Sequence, residues 1–195
     1  MTIYGANIGL IGVYGRYPSV GLPEQEAERT KTVSLKFKRS ELLYDAQNYA
    51  FVLGDVMKAD DEHLRHQLQD IVEDGNRDRV TRVLNLWMAK VREALYPYTK
   101  QEVEDGESRT DVLTEVDEYT ITMLVPDDYS KTTVTLLEQL IHEILICRVL
   151  EDWVSITNPG HEDIWKSKAE AAMDELNRVK NGRVKRVRRK QHPFP

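Results

Sequence analysis

The sequence contains little cysteine and no long apolar run, and both absences limit what the protein can be. Cys147 is the single cysteine among 195 residues, so an intrachain disulfide framework is impossible and a reducing compartment is expected. The longest apolar run, Tyr49–Leu53, is far shorter than the ~20 residues that a membrane span requires. Met1–Leu22 is apolar but has neither a cationic start nor a small-residue cleavage site, so it does not match a secretory signal peptide.

The sequence also lacks a convincing metal-binding motif. His142 and Glu143 resemble the start of a zinc-protease helix, but Ile146 stands where the second histidine would be. Without two imidazoles one turn apart, a helix cannot grip the ion from one face. His63 and His66 share a helical face, yet two ligands alone make a weak site. We therefore predict no metal ion, and we interpret His142 as a residue on a helix flank and the other two as solvated.

No nucleophile, phosphate loop or acid–base pair stands out either. Cys147 has apolar neighbours and no adjacent base, so we predict a buried, unreactive thiol. No Gly-Lys-Ser/Thr sequence follows the N-terminal glycines. The carboxylate pairs are predicted at helix starts or on exposed faces; they are Asp60-Asp61, Asp127-Asp128 and Glu151-Asp152. We accordingly predict no catalytic residue and no cofactor, and the chain is not expected to be an enzyme.

What the sequence does contain is a strong separation of charge. Residues 1–177 carry a net charge of −14, whereas residues 178–195 carry +8 and no acid. The basic residues are Arg178, Lys180, Arg183, Lys185, Arg186, Arg188, Arg189 and Lys190. Such a segment could fold back on the acidic body, bind nucleic acid, or bind an acidic neighbouring protein.

Residues 1–33 have the composition of a second arm. Glycines interrupt the segment too often for a helix, and its apolar content is too high for a free linker. The candidate arm contacts are Tyr4, Ile8, Tyr14 and Tyr17. Two readings stay open: the arm packs on its own domain, or another molecule holds it.

Apolar spacing predicts helices over residues 41–57, 61–73 and 78–95, which we expect to pack as an antiparallel bundle. Ser40 is the expected N-cap of the first helix, and Asp74-Gly75 is the expected end of the second. The first helix is expected to bury one stripe, formed by Leu42, Leu43, Ala46, Tyr49, Ala50, Leu53 and Val56.

Residues 98–117 are acidic and polar and are predicted to be a loop. The alternation over Tyr119–Val125 predicts a strand, whose expected partner is Val33–Phe37 or, alternatively, a neighbouring subunit. A long buried helix is predicted over residues 131–156, followed by a break at residues 157–160 and a last helix from near His161.

The expected fold class is therefore mainly α: a helical bundle with a small β element and extended N- and C-terminal arms. The domain organisation is a glycine-rich arm at 1–33, a helical domain at 34–177 and a basic arm at 178–195. The basic arm has two valines among its cations and an aromatic tip, which favour a protein partner over stacking on bases. The candidate partner-binding residues are Arg183, Lys185, Arg186, Arg188, Arg189, Lys190 and Phe194.

This arrangement resembles the head–tail connector (adaptor) proteins of tailed bacteriophages. The closest stretch is Leu137–Leu176, LEQLIHEILICRVLEDWVSITNPGHEDIWKSKAEAAMDEL, which is similar to the family's long helix, break and alanine-rich last helix. The glycine-rich N-terminal arm and the long loop between residues 98 and 118 depart from the family pattern, and they leave open which ring of the neck is meant.

The resemblance implies a structural virion protein in the phage neck, assembled in the host cytoplasm. It implies a homo-oligomeric ring, a dodecamer, between the portal and the tail, with DNA passing through the channel without sequence-specific binding. By position, the basic arm would bind the portal or another neck protein. No membrane is involved. The alternative is a cytoplasmic nucleic-acid-binding accessory protein that uses the basic arm on phosphates.

Overall fold

The computed structural model describes residues 29–56, 62–100 and 116–182. Strand β1 (Thr30–Lys38) leads directly into helix α1 (Arg39–Val56). Helix α2 (Glu62–Gln69) is followed by a 3₁₀ turn at Asp70–Val72. Helix α3 (Arg77–Ala94), strand β2 (Glu118–Pro126), helix α4 (Lys131–Thr157) and helix α5 (Glu162–Val179) complete the order. The mainly α fold with a small β element is confirmed.

Helix α4 is the centre of the structure. Its apolar side chains are buried on almost every side, because α1, α3 and α5 all pack against it. The break at residues 157–160 reverses the chain, and Gly160 has a φ of 96°, a left-handed conformation that glycine adopts without a Cβ clash. Helix α5 then returns antiparallel along α4 and buries Trp165, Ala169 and Leu176. The first three helices are therefore organised by α4 rather than as a separate bundle.

The two strands form an antiparallel sheet within one chain. Thr30 pairs with Pro126 and Lys38 with Glu118, so the predicted pairing within the chain is confirmed. Side chains of β2 alternate between half-buried and buried, and Tyr119, Ile121, Met123 and Val125 line the core. Arg92 donates to the carbonyl of Thr120 at 2.8 Å, which ties the outer edge of β2 to α3.

Two local predictions were wrong, and a third needs refinement. Ser40 is not an N-cap, because α1 begins at Arg39, whose backbone N–H already donates to the carbonyl of Asp117 at 2.9 Å. The second helix does end just before the predicted Asp74-Gly75 turn, but its last residues, Asp70–Val72, are a 3₁₀ turn rather than α-helix. Strand β1 begins at Thr30, inside the segment assigned to the N-terminal arm, since its first residues already pair with β2.

Candidate functional site

The two ends of the described chain meet at one corner of the body. The carbonyl of Arg29 accepts from the N–H of Asp127 at 2.9 Å, and that of Gly182 accepts from the N–H of Ser130 at 3.4 Å. Lys31 Nζ binds the carbonyls of Asp127 and Tyr129, both at 3.0 Å. We call the turn 126–130, with Arg29 and residues 180–182, the terminal corner. Both arms are thus attached beside the same five-residue turn.

Tyr129 fixes the C-terminal side of this corner. Its side chain is buried, and its hydroxyl donates to the carbonyl of Lys180 at 2.7 Å. Burial raises the pKa of Tyr129 well above its usual value, because the phenolate would be poorly solvated. The ring of Tyr98 meets that of Tyr129 edge-on at 5.8 Å, and the Tyr98 hydroxyl bonds Asn181 Oδ1 at 3.0 Å. These contacts hold residues 180–181 against the body.

Gly182 is in close contact with the start of α4. A Cβ at this position would overlap the side chain of Thr133, so only glycine fits without displacing its neighbour. The contact shows that the body extends to residue 182, four residues past the boundary of 178 that the charge pattern suggested.

The basic residues at the start of the predicted C-terminal arm belong to this body. Arg178 pairs with Glu175 at 2.7 Å, and Lys180 Nζ binds the carbonyl of Ala94 at 2.6 Å, at the end of α3. The other predicted partner-binding residues lie outside the described residues: Arg183, Lys185, Arg186, Arg188, Arg189, Lys190 and Phe194. The predicted arm contacts Tyr4, Ile8, Tyr14 and Tyr17 also lie outside them.

A second surface is the side of α1 that faces away from α4. Four large apolar side chains are exposed there: Tyr44 (67%), Phe51 (52%), Val52 (54%) and Val56 (78%). We call them the α1 outer face. The prediction that Val56 and Tyr49 join the buried stripe was wrong: Val56 is exposed and Tyr49 is at the margin, edge-on to Trp165 at 5.4 Å. The exposed side of α1 is mixed, because these four side chains stand among exposed polar residues that include Glu41, Asn48 and Asp55.

A third surface is a groove of about 810 Å³ beside α3 and α4, whose lining also includes Tyr119 and Glu162. We call it the Trp87 groove. Apolar side chains of α3 contribute to the lining, among them Val83, Leu86, Trp87 and Met88, and Leu86 is 53% exposed. Tryptophan, tyrosine and arginine all line it, and these residues carry most of the energy in protein interfaces.

Charged groups fix the walls of this groove. The Arg148 guanidinium lies 4.0 Å from the centroid of the Trp87 ring and bonds Glu151 at 2.6 Å. Arg79 Nε bonds Asp152 at 2.6 Å, joining α3 to α4. The prediction that Glu151 and Asp152 lie on an exposed face was therefore wrong, because both carboxylates are half-buried and paired with arginines. Paired in this way, the charges hold Trp87 in place.

The sequence contained a signal for this groove. Arg148, Glu151, Asp152 and Ser155 recur at helical spacing in the C-terminal half of α4, which marks a polar stripe on that side of the helix. The signal for the α1 outer face was the excess of apolar residues out of phase with the buried stripe, at Tyr44, Phe51 and Val52.

The remaining titratable candidates have structural partners. His142 Nε2 bonds Asp45 Oδ2 at 2.7 Å, linking α4 to α1. Cys147 is buried as predicted, and burial, with the nearby Glu143 carboxylate, raises the pKa of its thiol to about 12. His66 is exposed, and the His63 side chain lies outside the described residues. Within the described ranges, no three histidine, cysteine, aspartate or glutamate side chains cluster as metal ligands.

Among the helices that the structure describes, none combines the length and hydropathy needed to cross a bilayer. Comparison with known proteins gave no match to any family model, curated protein or solved structure. The terminal corner, the α1 outer face and the Trp87 groove are therefore the three surfaces from which a function can be proposed.

Proposed function

We propose that this chain is a structural virion protein that forms the head–tail connector ring of a tailed bacteriophage, joining portal to tail around the DNA channel. The observation that carries the proposal is the terminal corner, where both arms are attached beside residues 126–130. Two segments that start side by side can bind one neighbouring structure together, and ring symmetry multiplies such a contact into high avidity.

The α1 outer face supports the oligomeric part of the proposal. An exposed apolar patch of this kind on one helix is typical of a surface that another protein covers. A second copy of the chain is the partner that a ring requires.

The charge distribution is consistent with a DNA channel. Residues 1–177 carry −14, so a ring of such bodies repels the phosphate backbone and lets the duplex slide without being bound. The cations of residues 183–190 are then free to bind the portal or another neck protein outside the channel.

The mass of the native protein tests the ring. We expect mass photometry to give a ring of many 22.6 kDa subunits, twelve in the family that the sequence resembles. A variant ending at Gly182 keeps the contacts of Tyr129 and Tyr98 with residues 180–181, so it should still assemble. The truncated variant should no longer bind the portal protein encoded in the same genome, which co-sedimentation would measure. A monomer at micromolar concentration would refute the proposal.

The alternative, a nucleic-acid-binding accessory protein, is favoured by the six cations at residues 183–190. Titration of duplex DNA at several salt concentrations separates the two functions. Phosphate binding by this arm would give a steep salt dependence that disappears in the variant ending at Gly182. For a connector we expect weak DNA binding at physiological salt and no difference between the two proteins.

A further inference from the structure

We propose that the α1 outer face of one copy binds in the Trp87 groove of the next copy. This inference rests on the proposed ring and names the interface that builds it. Both surfaces belong to the described body, so the interface needs neither arm. The occupant of the groove is the ridge formed by Tyr44, Phe51, Val52 and Val56 of a second copy.

The size of the α1 outer face suits this role. At roughly 200 Å² for an aromatic side chain and somewhat less for valine, its four exposed side chains leave on the order of 400 Å² of apolar surface in water. One partner in a standard interface buries about 800 Å². These side chains thus supply about half of such a patch, and exposed polar residues between them, including Asn48 and Asp55, supply further contact area.

The groove offers matching chemistry. Leu86 and Trp87 of α3 contribute apolar lining, and paired charges line its α4 side. A helix that lays an apolar face into a hydrophobic groove is a recurrent mode of recognition. The bonds of Arg79 and Arg148 to α4 carboxylates fix the walls before a partner arrives, which limits the entropy lost on binding.

The two surfaces lie on opposite sides of α4. At about 100° per residue, the groove residues Arg148, Asp152 and Ser155 point within about 60° of one another. His142 bonds Asp45 of α1, and Glu143 raises the pKa of Tyr49 on α1, so both face α1. Viewed down the axis of α4, the direction midway between His142 and Glu143 lies about 170° from the direction of Arg148. Helix α1 therefore covers the side of α4 opposite the groove.

This placement determines the symmetry of the contact. Two different surfaces on opposite sides of one body cannot both be satisfied in a two-fold dimer. They join copies head to tail, and such a contact closes into a ring when its rotation divides a full turn. The proposed interface and the proposed ring are thus linked by geometry.

Two charged substitutions test the interface in the full-length protein. Val52→Glu places a carboxylate on the α1 outer face, and Leu86→Glu places one in the lining of the Trp87 groove. Both positions are exposed, so the fold should persist, which circular dichroism and thermal melting would verify. Each variant should assemble at least about tenfold more weakly than the native protein. Ser167→Glu, on the exposed side of α5, is the matched control and should still form rings.

Mixing the two variants distinguishes head-to-tail association from other contacts. Val52→Glu keeps an intact groove and Leu86→Glu keeps an intact α1 outer face, so together they should form one-to-one dimers that cannot grow. If both variants still form native-sized rings, the interface is overturned while the connector function stands. If only Val52→Glu disrupts assembly, the α1 outer face binds something other than the groove, and the inference is also overturned. If the native protein is monomeric, the connector proposal fails as well.

Disulfide trapping supplies direct evidence. Val52→Cys and Leu86→Cys proteins, mixed under mild oxidation, should form a mixed disulfide dimer. Cys147 is buried and should not contribute background. Ser167→Cys mixed with Leu86→Cys is the control and should remain monomeric on non-reducing gels. Equal yields from the two mixtures would contradict the proposal.

Discussion

Helices α1 and α4 both carry large apolar side chains on more than one side, yet their surroundings differ. Helix α4 is covered by α1, α3 and α5, and residues from Leu137 to Thr157 line the core. Helix α1 is covered on one side, where Leu42, Ala46 and Ala50 meet the core, while its other side faces solvent. That exposed side mixes polar residues with large apolar ones such as Phe51. Its apolar side chains are the ones that a second copy would cover in the proposed interface.

The largest effect is expected for a substitution in α4, the more deeply buried of the two helices. Leu150 of α4 is fully buried, so Leu150→Ala should remove about 2–5 kcal/mol from the free energy of unfolding through lost contacts and a cavity. Urea denaturation measures the change. Dilution should first dissociate any assembly, so that the stability of the single chain is measured.

Phe51→Ala is the matched substitution on the exposed side of α1. Because the ring is half-exposed, the free energy of unfolding of the dissociated chain should change by less than about 0.5 kcal/mol. A loss comparable with that of Leu150→Ala would mean that the α1 outer face is covered within the chain itself, and the contrast between the two helices would be lost.

An intermediate effect is expected at the terminal corner. Tyr129→Phe removes the hydrogen bond to the Lys180 carbonyl and should cost about 0.5–1.5 kcal/mol, since the carbonyl loses a buried donor. Hydrogen exchange should report faster exchange at the amides of Ser130 and Gly182, which are held at this corner. Unchanged exchange there would show that Tyr129 does not hold the C-terminal side of the corner. Tyr44→Phe, on the exposed side of α1, is the control.

The smallest effect at neutral pH concerns thiol reactivity on the two helices. Burial raises the pKa of Cys147 from 9.0 to about 12, so the neutral thiol is favoured in the folded chain. The preference of the folded chain for the neutral Cys147 thiol contributes fully to the free energy of unfolding below pH 9. This contribution declines as the pH rises toward 12, because the thiol ionises at lower pH in the unfolded chain than in the folded chain. At pH 8, iodoacetamide should label Val52→Cys on α1 rapidly and Cys147 only as fast as the chain unfolds. Equal labelling rates would contradict the burial of Cys147.

Much of the fold could be predicted from the spacing of hydrophobic residues and from residues that interrupt helices and strands. The spacing of leucines and isoleucines placed α4 within a residue of its observed end, and Thr157 to Gly160 read correctly as a break. The pairing of β2 with β1 followed from two alternating runs that each need a partner for their backbone groups. These are local signals, and they depend little on what surrounds the element.

The surfaces could not be derived in the same way. Periodicity gives the direction of a side chain but not what lies opposite it, so Val56 and the buried Leu42 look alike in sequence. The pairing of Arg79 with Asp152 joins residues 73 positions apart, and only the packing of α3 on α4 brings them together. Ser40 had good capping chemistry but lies two residues after the N-cap position, Lys38, because β1 runs into α1 without a loop.

The closeness of Arg29 and Gly182 has a practical consequence for handling the protein. A short glycine–serine linker could join these two residues across the turn at 126–130, giving a circularised body with new ends opened in the surface break at residues 157–160. Tags fused directly to Arg29 or Gly182 of a trimmed body would emerge at one place. Tags inserted in the break would leave that corner clear.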